Sequence, residues 1–214
     1  MFTTILETRE EVELIAADLF NDAVRNGFVI YDSEFNADGR VAVVQIMSSR
    51  HQIYIFRTSL LGEIPAVVRE ILSDANIVKV GHSLESDELA LRRYHGFGFG
   101  NRFDVRHLLM SLRVRIPSMG RRSNLKELMA ALVPELRGVE LGWWDKTDWD
   151  GDFTMEKIQY LKLDVLGVYM ICLRVMGANE FQDLKWSTFV TNVPNVEQLI
   201  DRRVHQEEWV IFNQ

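Results

Sequence analysis

Apolar residues near the start of the chain recur with the period of an α-helix. They are Val12, Ile15, Ala16, Leu19 and Phe20. Because residues three and four apart share one face of a helix, this spacing predicts an amphipathic helix. Residues 8–11, Thr-Arg-Glu-Glu, form a capping box at its N-terminus, and Asn26-Gly27 marks its end.

Three short apolar runs that follow are typical of β-strands. They cover residues 28–31, 41–47 and 52–56. Residues 36–39, Asn-Ala-Asp-Gly, have the composition of a tight turn between the first two runs. The runs therefore predict a meander of three strands, the first of which is buried.

Beyond residue 60, strand and helix patterns alternate. The pattern predicts helices over residues 65–72, 86–94, 106–113, 124–132 and 154–176, and strands over residues 77–80 and 103–105. Such alternation after a meander is typical of an α/β protein in which helices flank a mixed β-sheet. We expect one domain over residues 1–178. A C-terminal extension over residues 179–214 is expected to pack on that domain or on a partner, such as a second copy of the chain.

Length and composition are those of a globular protein. The 214 residues are 47% hydrophobic and 26% charged, and no apolar run reaches the ~18 residues of a membrane span. Acidic residues at positions 7, 10 and 11 are unlike a signal or transit peptide. The single cysteine, Cys172, excludes a disulfide framework and a cysteine-based zinc site. We expect an intracellular protein, cytoplasmic or nuclear, with no membrane partner.

The net charge argues against one class of nucleic-acid-binding protein. Lys and Arg number 24 against 31 Asp and Glu, so the formal net charge is −7. A protein that holds nucleic acid through a broad basic surface would carry the opposite sign. The balance is compatible with an enzyme that binds a few nucleotides and uses bound cations to neutralise their phosphates.

The first candidate functional residues lie at the end of the first predicted strand, in Asp32-Ser33-Glu34. Side chains alternate across a strand, so Asp32 and Glu34 share one face while Ser33 points away. Two neighbouring carboxylates repel each other unless a cation such as Mg²⁺ neutralises them. By itself, such a tripeptide is more often a solvated strand end than a metal site.

Later positions change that interpretation. Asp87 lies in the first turn of the helix after the 77–80 strand, where an acid commonly stabilises the helix dipole. Tyr160 and Asp164 are four residues apart in the last long helix and therefore share one face. Each feature alone is ordinary, but their order along the chain is specific.

That order resembles the DnaQ-like, or DEDD, 3′-to-5′ exonucleases, in particular the tyrosine-type branch that contains RNase D and the Werner-type exonuclease domains. The resemblance runs from about residue 28 to residue 176. Its motifs are Tyr31-Asp32-Ser33-Glu34 with the strand at 41–46, Lys79-Val80-Gly81-His82 through Asp87 and Leu91, Phe103-Asp104-Val105-Arg106, Asn124-Leu125-Lys126-Glu127-Leu128, and Phe153-Thr154 with Tyr160-Leu161-Lys162-Leu163-Asp164.

The resemblance implies an RNase H-like α/β fold and an active, metal-dependent 3′-to-5′ exonuclease. Four carboxylates, Asp32, Glu34, Asp87 and Asp164, would hold two Mg²⁺ or Mn²⁺ ions ~4 Å apart, and Tyr160 would orient the attacking water. The implied reaction is a two-metal-ion hydrolysis of the terminal phosphodiester of RNA or single-stranded DNA. Its products would be nucleoside 5′-monophosphates.

Three further residues are candidates for contact with the nucleic acid. His82 adjoins the second motif, and Arg121 and Arg122 belong to an arginine-rich loop over residues 113–122. For each, contact with substrate competes with simple packing or solvation of a loop. Trp144 and Trp149 precede the third motif and are interpreted as structural rather than as base-stacking platforms.

Two rival functions stay open at this point. One is a catalytically inactive adapter that keeps the fold and binds nucleic acid or protein. The other is a DNA-directed repair exonuclease, whereas the likeness to RNase D favours RNA as the substrate. The complete set of four carboxylates and Tyr160 argues against the adapter, since an adapter does not need closely spaced acids.

Overall fold

A mixed β-sheet forms the centre of the protein. The computed structural model describes residues 2–48, 52–111, 124–136 and 149–177. The strands are β1 (Phe2–Leu6), β2 (Phe28–Phe35), β3 (Val41–Met47), β4 (Gln52–Phe56), β5 (Val78–Gly81) and β6 (Arg102–Asp104). They lie in the order β1-β4-β3-β2-β5-β6. β3 is antiparallel to both of its neighbours, and the other pairs are parallel.

Helices cover both faces of this sheet. They are α1 (Arg9–Asn26), α2 (Thr58–Leu61), α3 (Ala66–Ser73), α4 (Leu84–Ala90), α5 (Val105–Ser111), α6 (Leu125–Leu132) and α7 (Met155–Met176). A π-helical turn, Leu91–His95, continues α4, and a 3-10 turn, Pro134–Leu136, follows α6. The expected mixed sheet with flanking helices is confirmed.

Each face of the sheet has its own hydrophobic core. One core joins the sheet to α5, α6 and α7, and the other joins it to α1, α3 and α4. In β2, Ile30 belongs to the first core, whereas Val29 and Tyr31 belong to the second. Because strand side chains alternate, the next residues of β2 are also divided between the α7 face and the α4 face.

Local sequence signals account for the best-predicted boundaries. The Thr8 side chain and the Glu11 carboxylate form the expected capping box of α1, and Gly27 ends the helix in the left-handed conformation. The meander is confirmed, and β2 continues beyond the predicted run to Phe35, so the acidic tripeptide lies near the end of the strand, as expected. β3 to β6, together with α3, α5, α6 and α7, begin and end within two residues of the expected positions.

The sequence pattern misses β1 and α2 and gives different bounds for α4. β1 is an edge strand whose only fully buried residue is Leu6, so its apolar alternation is weak. α2 spans a single turn of four residues, too short for a helical period. The helix expected over 86–94 begins earlier, at Leu84, and changes to π-helical geometry at Leu91.

Some expectations fall on parts of the chain outside the described residues. These parts are the arginine-rich loop over 113–122 and the C-terminal extension over 179–214. Among the helices that are described, none is long and apolar enough to cross a membrane.

Gly81 lies where β5 ends beside β2, and the surrounding atoms leave no room for a side chain. A Cβ atom at this position would lie 2.6 Å from the Tyr31 carbonyl oxygen and 2.5 Å from Leu84 Cδ2. Because a backbone oxygen in a sheet cannot move aside alone, we expect Gly81→Ala to lower the free energy of unfolding by about 1–3 kcal/mol. Urea denaturation in EDTA measures this loss.

Gly167→Ala in α7 is the matched control. The nearest atoms to its added Cβ would all belong to the flexible side chain of Met129. Alanine is also favoured over glycine inside a helix by ~1 kcal/mol, which offsets part of the crowding. The free energy of unfolding should change by less than about 1 kcal/mol. Equal losses in the two variants would contradict the tight packing inferred for Gly81.

Candidate active site

Three carboxylates converge at the end of β2. Asp32 and Glu34 belong to this strand and Asp164 belongs to α7, and one oxygen from each lies within 4.8 Å of the other two. Asp164 is buried, whereas Asp32 and Glu34 are partly exposed. The cluster is therefore accessible from solvent on the side of the strand.

The packing of α7 explains why these acids meet. Asp32 and Glu34 continue the face of β2 that α7 covers. The helix begins after Thr154, whose side chain accepts a hydrogen bond from the Lys157 amide at 3.3 Å. Val165, next to Asp164, packs in the same core as the sheet residues. This contact sets the rotation of the helix and turns its acid toward the strand.

Tyr160 lies beside the cluster on the same face of α7. Its hydroxyl donates a hydrogen bond to the Asp164 carboxylate. Its ring packs against Trp149, with 6.1 Å between ring centroids, and Trp149 meets Phe153 edge-on at 6.2 Å. Trp149 is 1% exposed, so packing is its observed role, as the sequence indicates. Trp144 lies outside the described residues.

Asp87 approaches the cluster from the opposite face of the sheet. It lies in the first turn of α4 and is buried. Its Oδ1 accepts a hydrogen bond of 2.5 Å from the Ser33 hydroxyl, because Ser33 points to the α4 face. Asp87 is close enough to Asp32 to raise the pKa of that carboxyl, but it does not belong to the group of three.

Burial disfavours ionisation of Asp32, Asp87 and Asp164, and repulsion from the neighbouring carboxylates adds to this effect at Asp32. Burial, followed by the charges of the neighbouring carboxylates, raises the pKa of Asp32 well above its ordinary value. Burial raises the pKa of Asp164 to about 7 and that of Asp87 to about 6, although the hydrogen bonds that they accept act in the other direction. The site is thus poised to release protons when a positive charge enters it.

These residues fit a hard divalent cation. Carboxylate oxygens are the ligands that Mg²⁺ and Mn²⁺ prefer. Asp164 Oδ2 is buried and has no hydrogen-bond partner among the residues that the structure describes. A buried carboxylate oxygen without a partner is costly, and a cation held with Asp32 and Glu34 would supply the missing interaction.

Of the three candidates for substrate contact, His82 alone lies among the described residues. His82 follows β5, is half-buried, and is close enough to Asp104 to lower the pKa of that carboxyl. Arg121 and Arg122 lie outside the described residues. The roles of these three side chains, and of the four carboxylates and Tyr160 in catalysis, stay predictions.

Arg57 is a part of the site's support that the sequence does not reveal. Its Nη1 donates to Glu7 Oε1 at 2.6 Å, and its Nη2 donates to the Gly151 carbonyl at 2.6 Å. Its guanidinium also lies over the Phe153 ring, 4.1 Å from the centroid. Arg57 thereby anchors the segment that leads into α7. An isolated arginine after a strand gives no signal of such long-range contacts.

Comparisons with known proteins agree on one family. Residues 9–171 match the family model described as a 3′-5′ exonuclease. Over 83 residues, 39% of this chain, the sequence is 30% identical to the Drosophila melanogaster protein "Exonuclease 3'-5' domain-containing protein 2". The matched segment spans only 14% of the length of that relative.

Two solved structures are similar to this chain over most of its length. Trypanosoma brucei RNase D superposes with a TM-score of 0.63 at 18% identity, over 83% of this chain and 66% of that chain. An EXD2 exonuclease domain soaked in Mn and GMP gives a TM-score of 0.49 at 20% identity, over 90% of this chain and 97% of that chain. The likeness to RNase D confirms the RNase H-like α/β fold that the sequence implies.

The raised carboxyl pKa values make stability depend on pH when cations are removed. In the unfolded chain these carboxyls ionise near pH 4, whereas the pKa values in the fold are about 6 for Asp87 and about 7 for Asp164. The folded state binds more protons in that interval, so this contribution to stability is present below about pH 4 and is lost as pH rises through 7. We expect Asp32→Asn, which removes one charge, to raise Tm in EDTA by roughly 2–6 °C at pH 8 and by less at pH 5.

Asp18→Asn is the control, because Asp18 is an exposed carboxyl on α1. Its effect on Tm should be small and the same at both pH values. Millimolar Mn²⁺ at pH 8 should raise Tm of the wild-type protein and of Asp18→Asn, and should raise Tm of Asp32→Asn much less. A lower Tm for Asp32→Asn than for wild type at pH 8 in EDTA would contradict repulsion within the cluster.

Proposed function

The chain belongs to the 3′-5′ exonuclease family, and we propose that it is an active member that hydrolyses the terminal phosphodiester at the 3′ end of RNA. Single-stranded DNA is the alternative substrate, and nucleoside 5′-monophosphates are the products. The observation that carries the proposal is the meeting of Asp32, Glu34 and Asp164 beside the Tyr160 hydroxyl. An adapter that only binds would gain nothing from acids that repel one another.

The four acids divide into two sets that are suited to two cations. The first set is Asp32, Glu34 and Asp164. The second set is Asp32 together with Asp87, which lies near Asp32 but on the other face of the sheet. When bound, Mg²⁺ or Mn²⁺ would supply Lewis-acid chemistry that activates water and stabilises the leaving 3′ oxygen. The carboxylates supply the negative charge that holds the cations, and the partial exposure of Asp32 and Glu34 gives the substrate access to them.

Tyr160 is proposed to orient the attacking water rather than to remove its proton. Burial, and then the negative charges of Asp164, Glu34 and Asp32, raise the pKa of its hydroxyl above the ordinary value. The hydroxyl therefore keeps its proton at neutral pH and can donate one hydrogen bond while it accepts another. The packing of the ring against Trp149 holds the hydroxyl in place.

The direction of cleavage tests the proposed activity. A site built around one terminal nucleotide should shorten 5′-labelled single-stranded RNA one nucleotide at a time from the 3′ end, in Mg²⁺ or Mn²⁺ and not in EDTA. A 3′-phosphate should block the reaction, because its added negative charge would crowd the carboxylates. Denaturing gels at early time points give the product ladder, and the same labelled DNA measures sugar preference.

Asp32→Asn is the control for contaminating nucleases in this assay. It should fold and should have no activity above background. Internal fragments at the earliest time points would show an endonuclease. Tight binding of RNA and DNA without cleavage of either in any divalent cation would support the inactive adapter instead.

Tyr160→Phe separates orientation of water from packing. The change removes one hydroxyl and keeps the ring that contacts Trp149, so the fold and cation binding should be retained. Loss of one oriented hydrogen bond at the reacting centre typically lowers the rate ~100-fold or more. We expect single-turnover cleavage to fall by that factor, while the affinity for RNA measured in Ca²⁺ stays near the wild-type value.

Tyr94→Phe is the matched control, because Tyr94 is an exposed tyrosine on the π-helical turn. It should cleave at the wild-type rate. Near-normal cleavage by Tyr160→Phe would mean that Tyr160 only packs against its neighbours. Asp164 would then be the one residue of α7 assigned to catalysis.

A further inference from the structure

The turn between β5 and α4 contains an unusual backbone conformation. Ser83 has φ +59° and ψ +32°, and among the described residues it is the only one other than glycine with a positive φ. A residue with a Cβ atom adopts this left-handed region at a cost, and it persists where surrounding contacts hold it. The Ser83 side chain makes no capping hydrogen bond to α4, so the restraint comes from elsewhere.

The restraint comes from Asp104 at the end of β6. Its Oδ2 accepts a hydrogen bond of 2.8 Å from the Ser83 amide. The register of the sheet places Asp104 opposite Gly81, so its side chain reaches the residues that follow β5. Asp104 is buried, and this contact is a direct link between β6 and the first residue before α4.

Arg106 fixes the Asp104 carboxylate in turn. Its backbone amide and its Nε both donate to Oδ1 at 2.9 Å, and its Nη2 donates to Oδ2 at 2.6 Å. Burial alone would raise the pKa of Asp104, but the hydrogen bonds and charge of Arg106 hold it below its ordinary value. The acceptor for Ser83 is therefore a fully ionised and oriented carboxylate at neutral pH.

The conformation of Ser83 determines where α4 begins. The Ser83 carbonyl accepts hydrogen bonds from the Ser86 amide and hydroxyl, and Leu84 is fully buried beside Gly81. Asp87 follows one turn later, where its carboxylate meets Ser33. A different φ at Ser83 would change the direction of α4 and move Asp87 away from the end of β2.

We propose that Asp104 is a positioning residue that holds Ser83 in the left-handed conformation and thereby fixes the location of Asp87 next to Asp32. Among the described residues, Asp104 positions Asp87 through its hydrogen bond to the Ser83 backbone, and its negative charge also contributes to the raised pKa of Asp87. Its consequence for hydrolysis rests on the proposed function, whereas its consequence for α4 does not.

The test compares Asp104→Asn with and without a second change at Ser83. In Asp104→Asn, the peptide that covers α4 should exchange its amide hydrogens faster in EDTA, on the order of 10-fold. Mn²⁺ binding, measured from free Mn²⁺ by electron paramagnetic resonance, should weaken, and hydrolysis should fall ~10-fold or more because Asp87 is misplaced. Adding Ser83→Gly should restore most of the slow exchange, the Mn²⁺ binding and the hydrolysis, since glycine adopts a positive φ without steric cost.

Adding Ser83→Ala instead is the matched control. It removes the same hydroxyl but keeps the Cβ atom, so it should restore nothing. Asp38→Asn controls for loss of an Asp-x-Arg pair, because Asp38 accepts from the Arg40 amide at 3.0 Å and pairs with its Nε at 3.4 Å on an exposed turn. That variant should exchange, bind Mn²⁺ and cleave like the wild-type protein.

Each outcome decides the proposal. Exchange and Mn²⁺ binding unchanged in Asp104→Asn, or equal recovery with Ser83→Gly and Ser83→Ala, would overturn it. If Asp104→Asn does not fold, Arg106→Gln takes its place in the same comparison, because it leaves the carboxylate but removes the guanidinium that orients it. If the wild-type protein cleaves no substrate but glycine restores slow exchange, the proposed function fails and the positioning role stands.

Discussion

Repulsion among carboxylates at the end of β2 is the constraint on which the rest of the site depends. One carboxylate oxygen from each of Asp32, Glu34 and Asp164 lies within 4.8 Å of the other two, and burial raises the pKa of Asp164 to about 7. Such a cluster is stable only if it is protonated or if cations neutralise it. The same feature therefore links the pH dependence of folding, the binding of divalent cations and the proposed hydrolysis.

The site forms where the two layers of helices meet the end of one strand. α7 covers one face of β2 and brings Asp164 and Tyr160, whereas α4 covers the other and brings Asp87. Each helix is held by contacts at its start. Arg57 anchors the segment before α7, and Asp104 restrains the turn before α4. The geometry of the acids thus depends on side chains that do not belong to the cluster.

Local signals predicted much of the fold, because they act over a few residues. The capping box at Thr8, the turn at residues 36–39 and the long apolar period of α7 each place an element within two residues of its observed position. β1 and α2 were not predicted, because tertiary contacts rather than local sequence patterns stabilise them. β1 adds to the sheet edge through its parallel ladder with β4, which no local pattern encodes.

The sequence by itself determined the types and order of the acids, their placement on a strand and two helices, and the family. Alternation along β2 also predicted that Asp32 and Glu34 would share a face. Only the tertiary structure decided that Ser33, expected to point away, bonds to Asp87, and that Asp104 holds the strained Ser83. These contacts join residues far apart in the chain, and their geometry depends on the register of β2, β5 and β6 and on the packing of α4, which residue spacing does not specify.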